Sequence, residues 1–131
     1  RISSNVSVHP TEPHANPLLE WIESCQKLKR ALPKDVLVLP AHNYPFRGAH
    51  ERLDNLISGH ETLLKRLESK LEAEKTVPEL FVTMFGRKIG PDALSLATGE
   101  TLAHLNYLIH EGKVVRKVSK GLPDTYVVTP Q

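Results

Sequence analysis

The segment that most constrains this chain runs from residue 36 to residue 71, where an apolar stretch leads through a loop into a long helical pattern. Four apolar residues, Val36–Leu39, run directly into Pro40, Ala41 and His42. A short apolar stretch without alternation predicts a strand that is covered on both faces. Because a strand fixes the backbone and the following loop leaves an imidazole accessible, His42 is a candidate metal ligand. From the residues alone, a loop histidine that bonds to backbone is the alternative.

Composition and charge set the class of protein. A chain of 131 residues forms one modest domain or two very small ones. Seventeen Lys and Arg against fifteen Asp and Glu give a net charge of +2, which is too balanced to indicate nucleic-acid binding by itself. There is no apolar run of membrane-spanning length and no signal segment, so we expect no membrane partner. The single cysteine, Cys25, excludes an internal disulfide and predicts a reducing, cytoplasmic location.

Two helical patterns flank the apolar run. Asn16 and Pro17 predict a helix start, and Pro33 ends that helix near Leu32. Its apolar residues recur every three or four positions and predict one buried stripe: Leu18, Trp21, Ile22, Cys25, Leu28 and Leu32. Residues 48–75 predict a second, longer helix with a nearly continuous leucine seam, which His60 interrupts. We interpret His60 as a satisfied interior histidine.

The last third of the chain has a different pattern. Thr76–Glu79 matches a capping box and marks a predicted domain boundary after residue 75. A short helix follows, then a second helix that ends near Gly112, with six residues predicted to face inward: Leu94, Ala97, Leu102, Leu105, Leu108 and Ile109. Residues 113–119 and 125–129 predict a β-hairpin. The order of these elements predicts a small winged helix at 76–131 and an α+β, mostly helical fold overall.

The remaining histidines fit structural roles better than catalytic ones. His9 and His14 lie in a proline-rich loop, and we expect both to be exposed. His50 and Asp54 share a helical face at metal-compatible spacing, but a surface hydrogen bond is the more common outcome. Glu100 and His104 have the same spacing, and we interpret them as a structural pair. Cys25 is expected to be buried rather than reactive.

The winged-helix pattern raises the question of DNA reading. No Lys or Arg occurs in residues 91–112, and the residues expected to face outward are Ser95, Glu100, Asn106 and Glu111. A helix with this charge would be repelled by phosphates, so we expect no nucleic-acid binding through it. The basic residues of the hairpin, Lys113, Arg116, Lys117 and Lys120, are consistent with a weak phosphate contact or with a solvated edge that discourages strand pairing.

Several motifs together resemble a known family. The segments at 5–10, 16–18 and 38–43, in this order, look like the C-terminal part of metallo-β-lactamase-fold hydrolases. Residues 99–105 and 112–114 look like the winged-helix appendage of the glyoxalase II-like branch. The resemblance implies a C-terminal piece of an αββα sandwich at residues 1–75 and one or two metal ions, usually zinc. Only His42 matches a metal-ligand position, in a Pro-Gly-His-Gly pattern whose glycines are Ala41 and Asn43 here. Asn43 tolerates a left-handed backbone, so we expect the turn to form.

The resemblance implies hydrolysis of an ester, thioester, lactam or phosphodiester bond by a metal-activated water, without selecting the substrate. The family's other ligand motifs are not found in the sequence, and a catalytic zinc needs about three protein ligands. We therefore expect no catalytic residue and no hydrolase activity in this chain alone, and no substrate-binding residue is assigned. An incomplete sandwich also predicts a homodimer, formed through the long helix or by strand exchange. The alternative is a free-standing winged-helix module that binds nucleic acid or protein and dimerises through a helical arm.

Overall fold

The computed structural model describes residues 5–131 and confirms a mostly helical α+β architecture. Residues 1–4 of the predicted first segment lie outside the described residues. The helices and strands are α1 (Pro17–Ala31), α2 (Ala49–Lys70), α3 (Phe81–Phe85), α4 (Leu94–His110), β1 (Val114–Lys117) and β2 (Thr125–Val128). Single 3₁₀ turns at Pro78–Leu80 and Pro91–Ala93 lead into α3 and α4. No helix in the described part of the chain is long and apolar enough to cross a membrane.

Helix α1 begins and ends where its sequence predicts. The side chain of Asn16 accepts a hydrogen bond from the Leu19 N–H at 3.4 Å, and Pro17 occupies the first turn. Leu18, Ile22 and Cys25 are buried, as the apolar spacing predicts. The stripe is shorter than predicted, because Leu28 is 49% exposed.

The predicted buried strand at 36–39 is wrong for the described chain. Val38 forms a single antiparallel bridge with Phe46, and Leu37 and Leu39 are 48% and 75% exposed. The sequence pattern reports the residues' preference for burial, whereas burial requires neighbouring strands on both sides. Within residues 5–131 the only strand ladder is the terminal hairpin, so the apolar run has no sheet neighbours there, and Val36 and Val38 are only half-buried.

Helix α2 is shorter than predicted at its C-terminus. It ends at Lys70, and the Leu71 N–H still bonds to the Leu67 carbonyl at 3.0 Å. Residue 75 instead pairs with the hairpin: the Lys75 N–H donates to the Tyr126 carbonyl at 3.0 Å, and the Tyr126 N–H returns a bond at 2.8 Å. The leucine seam is confirmed in part, since Leu53, Leu64 and Leu67 are buried.

The capping box predicted at Thr76 is present in half: the Glu79 side chain reaches back to Thr76, but the N-cap of the following 3₁₀ turn is Val77, which makes no side-chain cap bond. The Glu79 carboxylate accepts from the Thr76 N–H at 2.7 Å and from its hydroxyl at 3.1 Å. These bonds hold the pKa of Glu79 below its ordinary value. Strands β1 and β2 then pair antiparallel, with Val114 opposite Val128 and Lys117 opposite Thr125, which confirms the predicted hairpin.

Helix α4 is the most buried element, and two predictions for it are wrong. Leu94 was expected to face inward but is 47% exposed, because it lies in the first turn beyond the packed face. Asn106 was expected to face outward but is 6% exposed. Its amide donates to the Pro13 and Ala15 carbonyls, both at 2.9 Å, and so holds the N-terminal segment against α4.

One hydrophobic cluster joins the two ends of the described chain. Its buried members come from the N-terminal segment, α1, the C-terminal part of α2 and the residue after it, the 3₁₀ turn before α3, α4 and the hairpin: Val6, Val8, Leu18, Ile22, Leu64, Leu67, Leu71, Leu80, Ala103, Leu105, Leu108, Val114 and Tyr126. Residues on both sides of position 75 therefore share a core. A division into domains at 1–75 and 76–131 stays a prediction, as does the winged-helix assignment of the second part.

Candidate functional site

His42 lies at the tip of a closed loop, which we call the His42 loop (Val38–Phe46). Two backbone hydrogen bonds close it: Val38 N–H to the Phe46 carbonyl at 2.8 Å, and Phe46 N–H to the Val38 carbonyl at 3.1 Å. Its tip is exposed, and Asn43 has a φ of 68°. The left-handed turn expected at the position of a family glycine is therefore present, because asparagine adopts this conformation more easily than most residues.

Side chains that follow the loop anchor it to α1 and α2. Arg47 donates to the Asp35 carbonyl oxygen. His50, in the first turn of α2, bonds through Nε2 to the Leu32 carbonyl at 2.7 Å, at the C-terminal end of α1. Because a carbonyl only accepts, His50 carries its proton on Nε2. These bonds hold the base of the loop, and His42 lies in its exposed part.

The predicted surface bond between His50 and Asp54 is not what the structure shows. Asp54 instead accepts both of its hydrogen bonds from Lys29 on α1, at 2.7 and 2.8 Å. Each residue of the pair therefore links α2 to α1 separately. The two residues do lie one turn apart on α2. Their hydrogen bonds go to Lys29 of α1 and to the Leu32 carbonyl that follows α1 rather than to each other.

Among residues 5–131, no group of three or more His, Cys, Asp or Glu side chains is placed to hold a metal ion. A catalytic zinc needs about three protein ligands and an open position. The described residues therefore do not by themselves fit the metal that the family resemblance implies. His42 as one ligand of a larger set stays a prediction.

The structure brings together a histidine pair that sequence reasoning did not join. His60 of α2 and His104 of α4 lie with Nδ1 and Nε2, respectively, 3.0 Å apart, and their ring centroids are 5.1 Å apart. The His60 ring also makes an edge contact with Trp21 of α1 at 5.1 Å. The pair thus joins three helices at one point. His60 is an interior histidine, as expected, but its partner lies 44 residues away in the sequence.

Hydrogen bonding fixes the direction of the proton in this pair. His104 Nδ1 lies 2.8 Å from the Glu100 carbonyl oxygen, which only accepts, so Nδ1 of His104 carries the proton. Its Nε2 is then the acceptor, and His60 Nδ1 donates to it. The predicted Glu100–His104 side-chain pair is therefore not what the structure shows: His104 bonds to the Glu100 backbone within α4 and reaches the neighbouring helix through His60.

Burial keeps both rings neutral. His104 is 3% exposed, and burial, supported by the nearby His60, lowers the pKa of His104 to about 4. Burial also lowers the pKa of His60 and raises that of the Glu100 carboxyl. An added proton on either ring would place a charge inside the protein, and a proton added to each ring would place two charges in contact. The pair is accordingly a packing and hydrogen-bonding element rather than an acid–base group at neutral pH.

The other residues that the sequence singled out lie outside both the His42 loop and the His60–His104 pair. His9 and His14 are exposed, as expected, and His9 bonds locally to Thr11. Cys25 is buried, and burial raises the pKa of its thiol, in agreement with a structural role. In the hairpin, Arg116 and Lys117 lie near Asp124 and Glu74 at 3.7 and 3.4 Å.

Comparison with known proteins identifies relatives for nearly the whole chain. A family model described as the metallo-beta-lactamase-like C-terminal domain matches residues 64–126. The crystal structure of a beta-lactamase domain protein from Burkholderia ambifaria is similar over 98% of this chain, with 35% identity and a TM-score of 0.91. A metallo-beta-lactamase family protein from Thermus thermophilus is similar over 98% of this chain, with 29% identity and a TM-score of 0.79. This chain covers 38% of each of those two chains. A search of curated protein sequences found no significant match.

Proposed function

This chain has the sequence and fold of the C-terminal part of metallo-beta-lactamase family proteins, and on that premise we propose that it is part of a metal-dependent hydrolase. The observation that carries the proposal is the structural similarity over 98% of the chain at a TM-score of 0.91 to the Burkholderia ambifaria beta-lactamase domain protein. The chain spans 38% of that relative, so the hydrolase activity belongs to a larger arrangement than the described residues provide.

Within this proposal, His42 supplies one metal ligand. The support is geometric: the His42 loop is closed at its base, its tip is exposed, and Asn43 takes the left-handed conformation that the family's glycine would take. We propose zinc as the metal and one or two ions as the number. Zinc would supply Lewis-acid activation of water when bound. This chain would supply one imidazole, that of His42, and the proposal requires the remaining ligands to come from residues outside those described.

The substrate class is left as an ester, thioester, lactam or phosphodiester. We do not extend the proposal to nucleic-acid reading through α4, because that helix contains no Lys or Arg and its Asn106 is buried. A cytoplasmic location is part of the proposal, supported by the single buried cysteine.

Self-association is also part of the proposal, and the exposed side chains of Leu37, Leu39 and Tyr44 support it. Light scattering at micromolar concentration tests it, and a monomer of about 15 kDa would contradict it.

The test of the proposed function compares the 131-residue chain with the natural gene product. Both are assayed for hydrolysis of thioester, lactam and phosphodiester probes, and their zinc content is measured by elemental mass spectrometry. We expect zinc-dependent hydrolysis from the natural product and none from the chain alone. A natural gene product of 14.7 kDa, or zinc-dependent hydrolysis by the isolated chain, would overturn the proposal.

The role of His42 is tested separately in the natural product. His42→Ala should lower zinc affinity by roughly a hundredfold or more and remove hydrolysis, because loss of a direct ligand exceeds the 10–100-fold effect of a supporting group. His14→Ala is the matched control, since it removes another exposed histidine from a loop. Equal zinc content and activity in both variants would contradict the assignment of His42.

A further inference from the structure

A groove lies between the N-terminal segment and the first turns of α4. Its volume is about 420 Å³, within the range typical of small-molecule sites. Six of its lining residues form two facing walls: Val8, Pro10 and Pro13 on one side, and Leu96, Gly99 and Leu102 on the other. The groove is therefore mostly hydrocarbon, with a few polar groups set among apolar side chains.

None of the residues that line this groove is Asp, Glu, Lys or Arg. The four other surface cavities described each include charged side chains, such as Lys29, Lys65, Arg47 and Glu20, respectively. A charged ligand buried in the first groove would lose hydration without gaining an ion partner there. The lining therefore favours an uncharged, mostly apolar ligand.

His9 lines the groove, and its hydrogen bonds to Thr11 indicate which of its ring nitrogens can donate to a ligand. The Thr11 N–H donates to His9 Nδ1 at 3.2 Å, and the Thr11 hydroxyl lies 2.7 Å from the same nitrogen. Because a backbone N–H can only donate, Nδ1 is the acceptor and the neutral ring carries its proton on Nε2. Nε2 is then a donor to a ligand's carbonyl oxygen.

The two walls are fixed against each other before any ligand arrives. The Val8 N–H donates to the Gly99 carbonyl at 3.0 Å. A Cβ at position 99 would lie 2.0 Å from Ser7 Oγ and 3.3 Å from Ser7 Cβ, so a larger residue there would require the Ser7 hydroxyl to rotate away and the segment to shift slightly. Asn106 ties the following residues of the same segment to α4 through the Pro13 and Ala15 carbonyls. A preformed groove avoids much of the ordering entropy that binding otherwise requires.

We propose that this groove binds an uncharged acyl group, with the hydrocarbon chain between the two walls and the carbonyl oxygen on His9 Nε2–H. The proposal concerns binding and goes beyond the hydrolase function, since it requires neither His42 nor a metal. It would hold for this chain even if the proposed hydrolase function failed.

The first test titrates the chain with butyramide, hexanamide and octanamide and follows backbone amide shifts by NMR. We expect shifts centred on residues 7–13 and 95–102, and affinity that rises by up to about fourfold for each added methylene that is buried. Hexanoate and hexylammonium should bind at least tenfold more weakly than hexanamide, because the groove holds no ion partner. Absence of shifts in those two segments, or equal binding of hexanoate, would overturn the proposal.

Two variants locate the ligand. Leu96 is 66% exposed, so Leu96→Gln should fold normally and weaken hexanamide binding by roughly fivefold through loss of apolar contact. Val82→Gln is its matched control, at 59% exposure on α3 and outside the groove. His9→Ala should weaken the binding of butyramide, hexanamide and octanamide by about the same factor for each, whereas His14→Ala should leave their binding unchanged. Unchanged hexanamide binding in Leu96→Gln and His9→Ala would overturn the proposal. NMR shifts that change with the protein concentration rather than with the concentration of added amide would also overturn it, because they would assign the groove to a second copy of the chain.

Discussion

The His42 loop and helix α4 place histidines in opposite surroundings. His42 is exposed on a loop held by two backbone bonds at its base. His104 is 3% exposed and is held by the Glu100 carbonyl and His60. The first arrangement places an imidazole in an exposed loop, whereas the second uses imidazoles to join helices. The difference teaches that a histidine's chemistry in this chain follows from its burial and its partners.

The largest expected effect comes from truncating the apolar side chains of the two regions. Leu67 is fully buried and belongs to the shared core, so Leu67→Ala should reduce the free energy of unfolding by about 2–5 kcal/mol. Leu39, in the His42 loop, is 75% exposed, and Leu39→Ala should change the free energy of unfolding by less than about 0.5 kcal/mol. Urea denaturation measures both. Similar losses for the two variants would show that the loop is packed in solution and would break the comparison.

The second prediction concerns pH. His104 has a folded-state pKa of about 4, below the ordinary 6.5, so the unfolded chain binds more protons than the folded one between these values. Its contribution to stability is therefore fully present above about pH 6.5 and is lost as the pH falls toward 4. The lost contribution is at most roughly 3 kcal/mol. The lowered pKa of His60 acts in the same direction, and the raised pKa of Glu100 opposes it.

Urea denaturation at pH 7, 5.5 and 4.5 checks this prediction when wild type is compared with His104→Gln. The variant should lose stability less steeply over this range, because glutamine does not titrate. His14→Gln, an exposed histidine outside the pair, should follow the wild type. Parallel curves for wild type and His104→Gln would rule out the buried pair as the source of the pH dependence.

The smallest expected effect lies in the His42 loop. Asn43 has a φ of 68°, so Asn43→Ala should destabilise the chain by about 1 kcal/mol, and Asn43→Gly should be neutral or slightly stabilising. Asn55→Ala on exposed α2 is the control, where alanine favours the helix. Thermal unfolding separates the three variants. An Asn43→Ala protein as stable as Asn43→Gly would show that the turn relaxes out of the left-handed region.

The sequence alone was sufficient for the elements whose signals are local. The start of α1 at Asn16 and Pro17, the bond between Thr76 and Glu79, and the terminal hairpin follow from caps, proline geometry and alternation, all of which act over a few residues. The family resemblance was likewise recoverable from short motifs in order, and the matches to the metallo-beta-lactamase family proteins confirm it.

Only the tertiary structure decided which side chains are covered and by what. Asn106 is buried because the Pro13 and Ala15 carbonyls need its amide, and neither lies near it in the sequence. His60 and His104 likewise meet only in the folded chain, 44 residues apart in the sequence. The apolar pattern of residues 36–39 does not indicate whether neighbouring strands are present to cover it. Periodicity records a residue's preference for burial, but burial itself depends on the element that packs against it.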